Sequence, residues 1–145
     1  DIPMESYKIH GINHEMLKGK PDIKIILPLF KTYTHDTVLI GHNMAFDMKM
    51  FKVKEKTTHT VFLNPVLDTL LLSALLHPIH KRHDMENIAK RLGVNIIGRH
   101  TALGDAIATA EIFLKLIPIL NANGIFTLKN AIEASKTTYY SRLKY

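Results

Sequence analysis

A short β-branched run that ends in a polar loop and continues as a helix constrains the fold of this chain most. Residues 37–40 predict a strand, Gly41-His42-Asn43 close it, and residues 45–51 follow a helical pattern. Such a strand–loop–helix unit is typical of α/β domains, in which ligands bind beyond the carboxyl ends of the strands. Asp47 falls in the first turn of the predicted helix.

A second unit of the same kind follows along the chain. Val66-Leu67-Asp68 predicts a short strand that runs into a helix over residues 69–76, with Asp68 as the N-cap of that helix. Residues 60–63 predict a further, minor strand. The expected fold class is therefore α/β, rich in helices and with few strands.

The longest helical pattern begins near His100 and carries apolar residues at three- and four-residue steps. These residues predict one buried stripe and are Leu103, Ala106, Ile107, Ala110, Phe113, Leu114 and Ile117. Taken singly, Asp105 beside the stripe and His100 before it are commonly a dipole partner and a capping or surface residue. Together, an imidazole and a carboxylate that converge can deprotonate water and hold a cation, which indicates metal-assisted hydrolysis.

The remaining helices are predicted from their end signals. Asn13 is an expected N-cap, a longer helix is expected to start at Pro21 or Asp22, and residues 125–135 are expected to form the last helix. Asp84 is expected to cap a helix that Gly93 ends. The basic loop between residues 77 and 83 is compatible with a phosphate contact and equally with plain solvent exposure.

Length and composition limit the functional classes. A chain of 145 residues with 46% hydrophobic content fits one domain, and its formal net charge of +6 favours a polyanionic partner. With no Cys, disulfides and Cys-ligated zinc are excluded. The apolar run over residues 61–79 is interrupted by polar residues and Pro, so we expect core elements and no membrane contact. No charged-then-apolar leader is visible, and a cytoplasmic protein is expected.

Four stretches resemble the DEDDh (DnaQ-like) 3′–5′ exonucleases, a family on the ribonuclease H-like fold. They are Ile9-His10-Gly11-Ile12, Ile40-Gly41-His42-Asn43-Met44-Ala45-Phe46-Asp47, Leu67-Asp68-Thr69-Leu70 and His100-Thr101-Ala102-Leu103-Gly104-Asp105-Ala106. Their order and spacing agree with the family across residues 2–128, and the second and fourth are the most specific.

The resemblance implies roles for individual residues. Asp47 corresponds to the carboxylate of the family's second motif, and His100 and Asp105 correspond to the base and carboxylate of the third. The implied chemistry uses two Mg²⁺ or Mn²⁺ ions, with His100 taking a proton from the attacking water and a nucleoside 5′-monophosphate as product. His10, Gly11 and Ile12 are then expected near the terminal nucleotide, and Asn43 is expected to brace the second motif.

The chain departs from the family at its first motif, an Asp-x-Glu on the first strand. Asp1 and Glu5 have the wrong spacing for this motif, so the first three strands are expected to be absent and the strand ending at Ile40 to have an exposed edge. The chain is then either a fragment of a complete exonuclease or a natural truncated relative, and we favour the fragment. An exposed edge also predicts self-association through residues 38–40 or the adjacent sheet face.

The predicted function is a metal-dependent 3′–5′ exonuclease domain that acts on DNA rather than RNA. By itself the chain is predicted to be inactive or nearly so. The resemblance also implies a DNA polymerase or another domain as partner within the parent protein. The alternative is a non-catalytic nucleic-acid-binding or assembly module on the same scaffold.

Overall fold

In the part of the chain that the structure describes, two short parallel strands form a sheet, β1 (Leu39–Gly41) and β2 (Val66–Asp68). A computed structural model describes residues 2–98 and 100–142, so Asp1, Arg99 and the last three residues of the chain lie outside it. The register pairs Leu39 with Val66 and Gly41 with Asp68. Because the strands are parallel, both carboxyl ends lie at the same edge of the sheet.

Eight α-helices and one 3₁₀ turn surround the strands in the described part of the chain. The helices are α1 (Met4–His10), α2 (His14–Leu17), α3 (Ile23–Tyr33), α4 (Met44–Thr58), α5 (Thr69–Leu76), α6 (Met85–Leu92), α7 (Ala102–Ala122) and α8 (Leu128–Ser135), and the 3₁₀ turn is Tyr139–Arg142. The predicted helix-rich α/β class is confirmed. Helix α4 makes the crossover between the two parallel strands.

The larger core lies between β2 and helices α5 to α8. Its buried apolar residues are Leu67, Leu72, Met85, Ile88, Ala89, Ala108, Ile112, Leu116, Leu120 and Ala131. A smaller core joins α3, β1 and α4 around Leu27, Leu39, Met44 and Phe62. The Phe51 and Phe62 rings stack there with centroids 4.4 Å apart. The two cores lie on either side of the strand pair, and both therefore fix the position of the sheet.

The predicted helix ends agree well with the structure. The side chains of Asn13, Asp68 and Asp84 each accept a backbone N–H of the helix that follows, as an N-cap should. Asp22 does the same for α3, and Gly93 ends α6 with a φ of 68°. The last helix begins later than predicted, at Leu128 after the N-cap Thr127.

The predicted buried stripe of α7 is wrong. Leu103, Ile107 and Leu114 are 72%, 51% and 63% exposed, and the helix instead buries a different face. That buried face consists of Gly104, Ala108, Thr109, Ile112, Leu116 and Leu120. Since apolar residues occur on several sides of α7, periodicity alone does not select the buried face.

The predicted minor strand over residues 60–63 is also wrong, because that segment has no strand structure. The hydroxyl of Thr60 donates to the carbonyl of Thr58 at 3.0 Å, and Phe62 fills the smaller core. Thr60 and Phe62 are buried and Val61 and Leu63 are exposed, because this extended segment covers the smaller core. No strand in the described residues pairs with it. No helix in the described residues is long and apolar enough to cross a membrane.

Candidate active site

A cleft of about 920 Å³ lies along β1 between helices α3, α4 and α7. Apolar and aromatic side chains make up most of its lining, including Phe30, Tyr33 and Phe113. Among the lining residues in the described part of the chain, two carry carboxylates, Asp47 and Asp105. The structure therefore brings the two predicted metal-ligating carboxylates to one cleft, although 58 positions separate them in the sequence.

The loop from Gly41 to Met44 positions the first of these carboxylates. Asn43 has left-handed backbone angles, with φ of 62° and ψ of 46°, and makes no side-chain capping hydrogen bond to α4. The backbone N–H groups of Asn43 and Met44 instead donate to the Asp68 carboxylate, each at 2.9 Å. Because this loop sets where α4 begins, it also sets where Asp47, in the first turn of α4, meets the cleft.

A second link joins the same loop to the start of α5. The Thr69 hydroxyl donates to the carbonyl of Gly41 at 3.1 Å, and Nδ1 of His42 lies 3.0 Å from the same hydroxyl oxygen. Thr69 is fully buried. The carboxyl ends of both strands are thus tied together by side chains as well as by the strand ladder.

The electrostatic environment of Asp47 favours a positive partner. Partial burial raises the pKa of the Asp47 carboxyl and is the largest influence; a backbone hydrogen bond lowers this pKa in part, and the nearby Asp68 carboxylate makes a lesser contribution that raises it. A carboxylate whose charge is disfavoured by burial and by a like charge is stabilised when a cation approaches. Such groups are common at functional sites.

A tight turn before α7 positions the second carboxylate. Thr101 caps the helix by accepting the N–H of Gly104 at 3.1 Å, and its hydroxyl donates to the carbonyl of Gly98 at 2.5 Å. His100 has a φ of 65°, unusual for a residue with a side chain, and its backbone N–H donates to Oδ1 of Asp105 at 3.3 Å. The structure therefore joins the two predicted residues His100 and Asp105 directly.

Gly104 is required by the close approach of this turn to the helix. A Cβ atom at Gly104 would lie 2.1 Å from the carbonyl oxygen of Gly98 and 2.6 Å from that of Ile97. Both neighbours are backbone atoms, which cannot move aside without shifting the turn. Gly104 thus permits the close contact between α7 and the backbone of Ile97 and Gly98. This contact helps to position the turn that carries His100.

Other predicted site residues lie apart from the cleft lining. His100 is exposed and adjoins Asp105, while the exposed pair Gly11 and Ile12 follows α1, where Gly11 forms a left-handed C-cap with φ of 68°. Nδ1 of His10 accepts the N–H of Ile12 at 3.0 Å. None of these residues lines the cleft, and their roles toward substrate stay predictions.

Sequence reasoning missed the second role of Asp68. A strand followed directly by a helix indicated its capping function, and the structure confirms that Oδ1 accepts the N–H of Leu70 at 2.9 Å. The additional bonds to the loop after β1 depend on the pairing of Gly41 with Asp68. Strand register was not available from the residues alone.

The residues of the cleft do not by themselves form a complete metal site. Within residues 2–98 and 100–142, no group of three or more His, Cys, Asp or Glu side chains is placed to hold a metal ion. A Mg²⁺ ion takes about six oxygen ligands, of which proteins often supply only part. Asp47 and Asp105 suit a hard cation as oxygen ligands but leave most of its coordination to other groups.

The sequence is similar to those of known exonucleases and DNA polymerase III proteins. A profile of the RNase T family, described as exonuclease, matches residues 1–113. A DNA polymerase III subunit epsilon-like protein of Rhodobacter capsulatus is 41% identical over 128 residues, which cover 87% of this chain and 18% of that protein. A PolC-type DNA polymerase III of Caldanaerobacter subterraneus is 38% identical over 86% of this chain and 9% of its own.

A shorter relative is also matched over most of this chain but over only part of its own length. A DNA polymerase III subunit epsilon of Aquifex aeolicus is 37% identical over 117 residues, which cover 80% of this chain and 58% of that subunit. The chain thus spans less than two thirds of the length of each of these relatives.

Proposed function

The chain belongs to the exonuclease family, as the match over residues 1–113 shows, and on this basis we propose that it is part of a 3′–5′ exonuclease domain. The domain hydrolyses terminal phosphodiester bonds and releases nucleoside 5′-monophosphates. The observation that carries this proposal is the convergence of Asp47 and Asp105 on one cleft beside the carboxyl ends of the strands. This is the position where α/β sheets commonly bind ligands.

Exonucleases of this family generally depend on divalent metal ions. In the proposed site, Asp47 and Asp105 bind Mg²⁺ or Mn²⁺, and a bound divalent ion supplies charge stabilisation at the phosphate. His100 takes the proton from the attacking water, a role that its exposed position next to Asp105 supports. Four further residues are proposed to bind the substrate: His10, Gly11, Ile12 and Asn43.

DNA is the proposed substrate, and a DNA polymerase is the proposed partner. The relatives are named as DNA polymerase III proteins, and the formal charge of +6 is suited to a polyanion. Placement in the cytoplasm stays a prediction.

We further propose that strands outside these 145 residues complete the site. Among the described residues, β1 pairs with β2 on one edge and has no strand on the other. Val38, Leu39 and Ile40 line the cleft along β1, and Leu114 lines it from α7 while 63% exposed. Neighbouring strands packed into this cleft would pair with β1, cover its apolar walls and bring further carboxylates to Asp47 and Asp105.

Activity of the whole natural protein tests the proposed function. With Mg²⁺ and a single-stranded DNA oligonucleotide labelled at its 5′ end, we expect progressive shortening from the 3′ end and release of 5′-monophosphates. An RNA oligonucleotide of the same sequence is the control for substrate class. The rival function, a non-catalytic binding module, is favoured by the incomplete ligand set. Tight DNA binding without any hydrolysis would decide for this rival.

Self-association of the isolated chain is a separate expectation. The unpaired edge of β1 and the exposed apolar wall of the cleft form a surface that folded proteins usually cover. We expect a dimer or larger assembly in sedimentation experiments at micromolar concentration. Leu114→Glu, inside the cleft, should weaken it, whereas Ile79→Glu, at an 88% exposed position outside the cleft, should not. A well-folded monomer with a cooperative melt would contradict this expectation.

A further inference from the structure

We propose that Asp68 is a positioning residue of the site, because its single carboxylate holds the first turns of two helices and thereby fixes where Asp47 enters the cleft. This inference rests on the proposed function for its effect on catalysis. Its structural half concerns only the order of the loop between Gly41 and Met44.

The contacts of Asp68 exceed what a helix cap requires. The residue is 8% exposed, and its two oxygens accept three backbone N–H groups, those of Asn43, Met44 and Leu70, each at 2.9 Å. A single bond, the one from Leu70, is enough to cap α5. The other two reach α4, which is separate in the chain by more than 20 positions.

Helix α4 lacks the usual means of satisfying its first N–H groups. Its N-cap residue, Asn43, makes no side-chain capping bond and has a left-handed backbone. Asn tolerates this backbone better than most residues with a side chain, but in this conformation its own side chain does not cap the helix. The Asp68 carboxylate supplies the missing acceptors from the neighbouring strand, and the pairing of Gly41 with Asp68 brings it within reach.

The position of Asp47 depends on this arrangement. Asp47 lies four residues after Asn43, in the first turn of α4, so any movement of the loop displaces its carboxylate. Asp105 is fixed independently by the turn before α7. Loss of the Asp68 contacts should therefore change the distance between the two carboxylates of the cleft without unfolding either helix.

Asp84 provides a matched control within the same chain. It caps α6, a helix of eight residues like α5, by accepting the N–H of Asn87 at 3.1 Å. Its other partners, the side chains of Asn87 and Arg82, are local. Asp84 lines neither the cleft nor the loop after β1. It thus performs the capping function of Asp68 without the contacts to a second helix.

The experiment compares Asp68→Ser with Asp84→Ser in the whole natural protein. Ser caps a helix about as well as Asp, but it is too short to hold three N–H groups. We expect Asp84→Ser to melt near the unmodified protein, and Asp68→Ser to fold but to melt at a lower temperature, because two backbone N–H groups lose their acceptor. Asp68→Ser alone should lower kcat, or raise the Mg²⁺ concentration for half-maximal activity, by about 10- to 100-fold, as losses of supporting contacts around metal ligands usually do. The KM for the oligonucleotide should change little.

Hydrogen exchange of the backbone amides measures how well the loop between Gly41 and Met44 is ordered, and it does not depend on activity. In Asp68→Ser the amides of Asn43 and Met44 should exchange about tenfold faster or more, because each loses a charged acceptor, and in Asp84→Ser they should not. Normal exchange and normal Mg²⁺ dependence in Asp68→Ser would overturn the inference. If Asp68→Ser does not fold, Asp68→Asn, which keeps the shape and loses one acceptor, gives the same comparison. An inactive unmodified protein would instead count against the proposed function, and exchange would still decide the role of Asp68.

Discussion

Asp105→Ala in the whole natural protein is expected to abolish both divalent-metal binding in the cleft and nuclease activity, whereas His100→Ala should leave metal binding nearly intact. Asp105 is one of two carboxylates that line the cleft in the described part of the chain, so its loss removes half of the ligands proposed there. The proposed role of His100 is proton transfer, which is typically worth about 10²- to 10⁴-fold in rate. Turnover of His100→Ala should fall by that order.

Kinetics and metal titrations on the same preparations separate the two effects. Glu111→Ala is the matched control, because Glu111 is an exposed carboxylate on the same helix, α7, outside the cleft. His100 has a φ of 65°, so His100→Asn, which tolerates this conformation better than Ala, separates loss of the imidazole from backbone strain. Full activity of His100→Ala across neutral pH would show that the imidazole is structural.

The isolated chain is expected to bind divalent metals weakly and to show negligible nuclease activity. Two carboxylates cannot hold two closely spaced ions well, because each ion takes about six oxygen ligands and water would have to supply the remainder. The expectation follows from the described residues, which hold no group of three candidate ligands. Purified chain with Mg²⁺ and a labelled DNA oligonucleotide is the direct assay. Robust release of nucleotides, abolished by Asp105→Ala, would mean that the chain completes the site by itself.

Local signals predicted much of the fold because they act over a few residues. The β-branched run before Gly41, the N-caps Asp68 and Asp84, and the left-handed stop at Gly93 depend on neighbours in sequence, and the structure confirms them. The carboxylates of Asp47 and Asp105 were likewise identified from motifs, and the structure places both on one cleft.

Features that depend on distant contacts could not be read from the residues. Helix α7 is apolar on several sides, so its buried face was chosen wrongly; Ala106, Ala110 and Leu114 line the open cleft instead. Four members of the predicted stripe therefore belong to the apolar wall of the cleft: Ala106, Ala110, Phe113 and Leu114. The hydrogen bond from the Met44 N–H to Asp68 was missed for the same reason. It depends on the register of the two strands, which pairs Gly41 with Asp68.

Binding of Mn²⁺ to the ¹⁵N-labelled chain, followed by paramagnetic broadening of its amide signals, tests most directly whether Asp47 and Asp105 form one metal site. We expect weak, saturable broadening centred on the first turns of α4 and α7, where these two residues lie. Asp105→Ala should remove the broadening at both helices, and Glu111→Ala should change neither. Broadening confined to one of the helices, or centred on another part of the chain, would contradict a shared site.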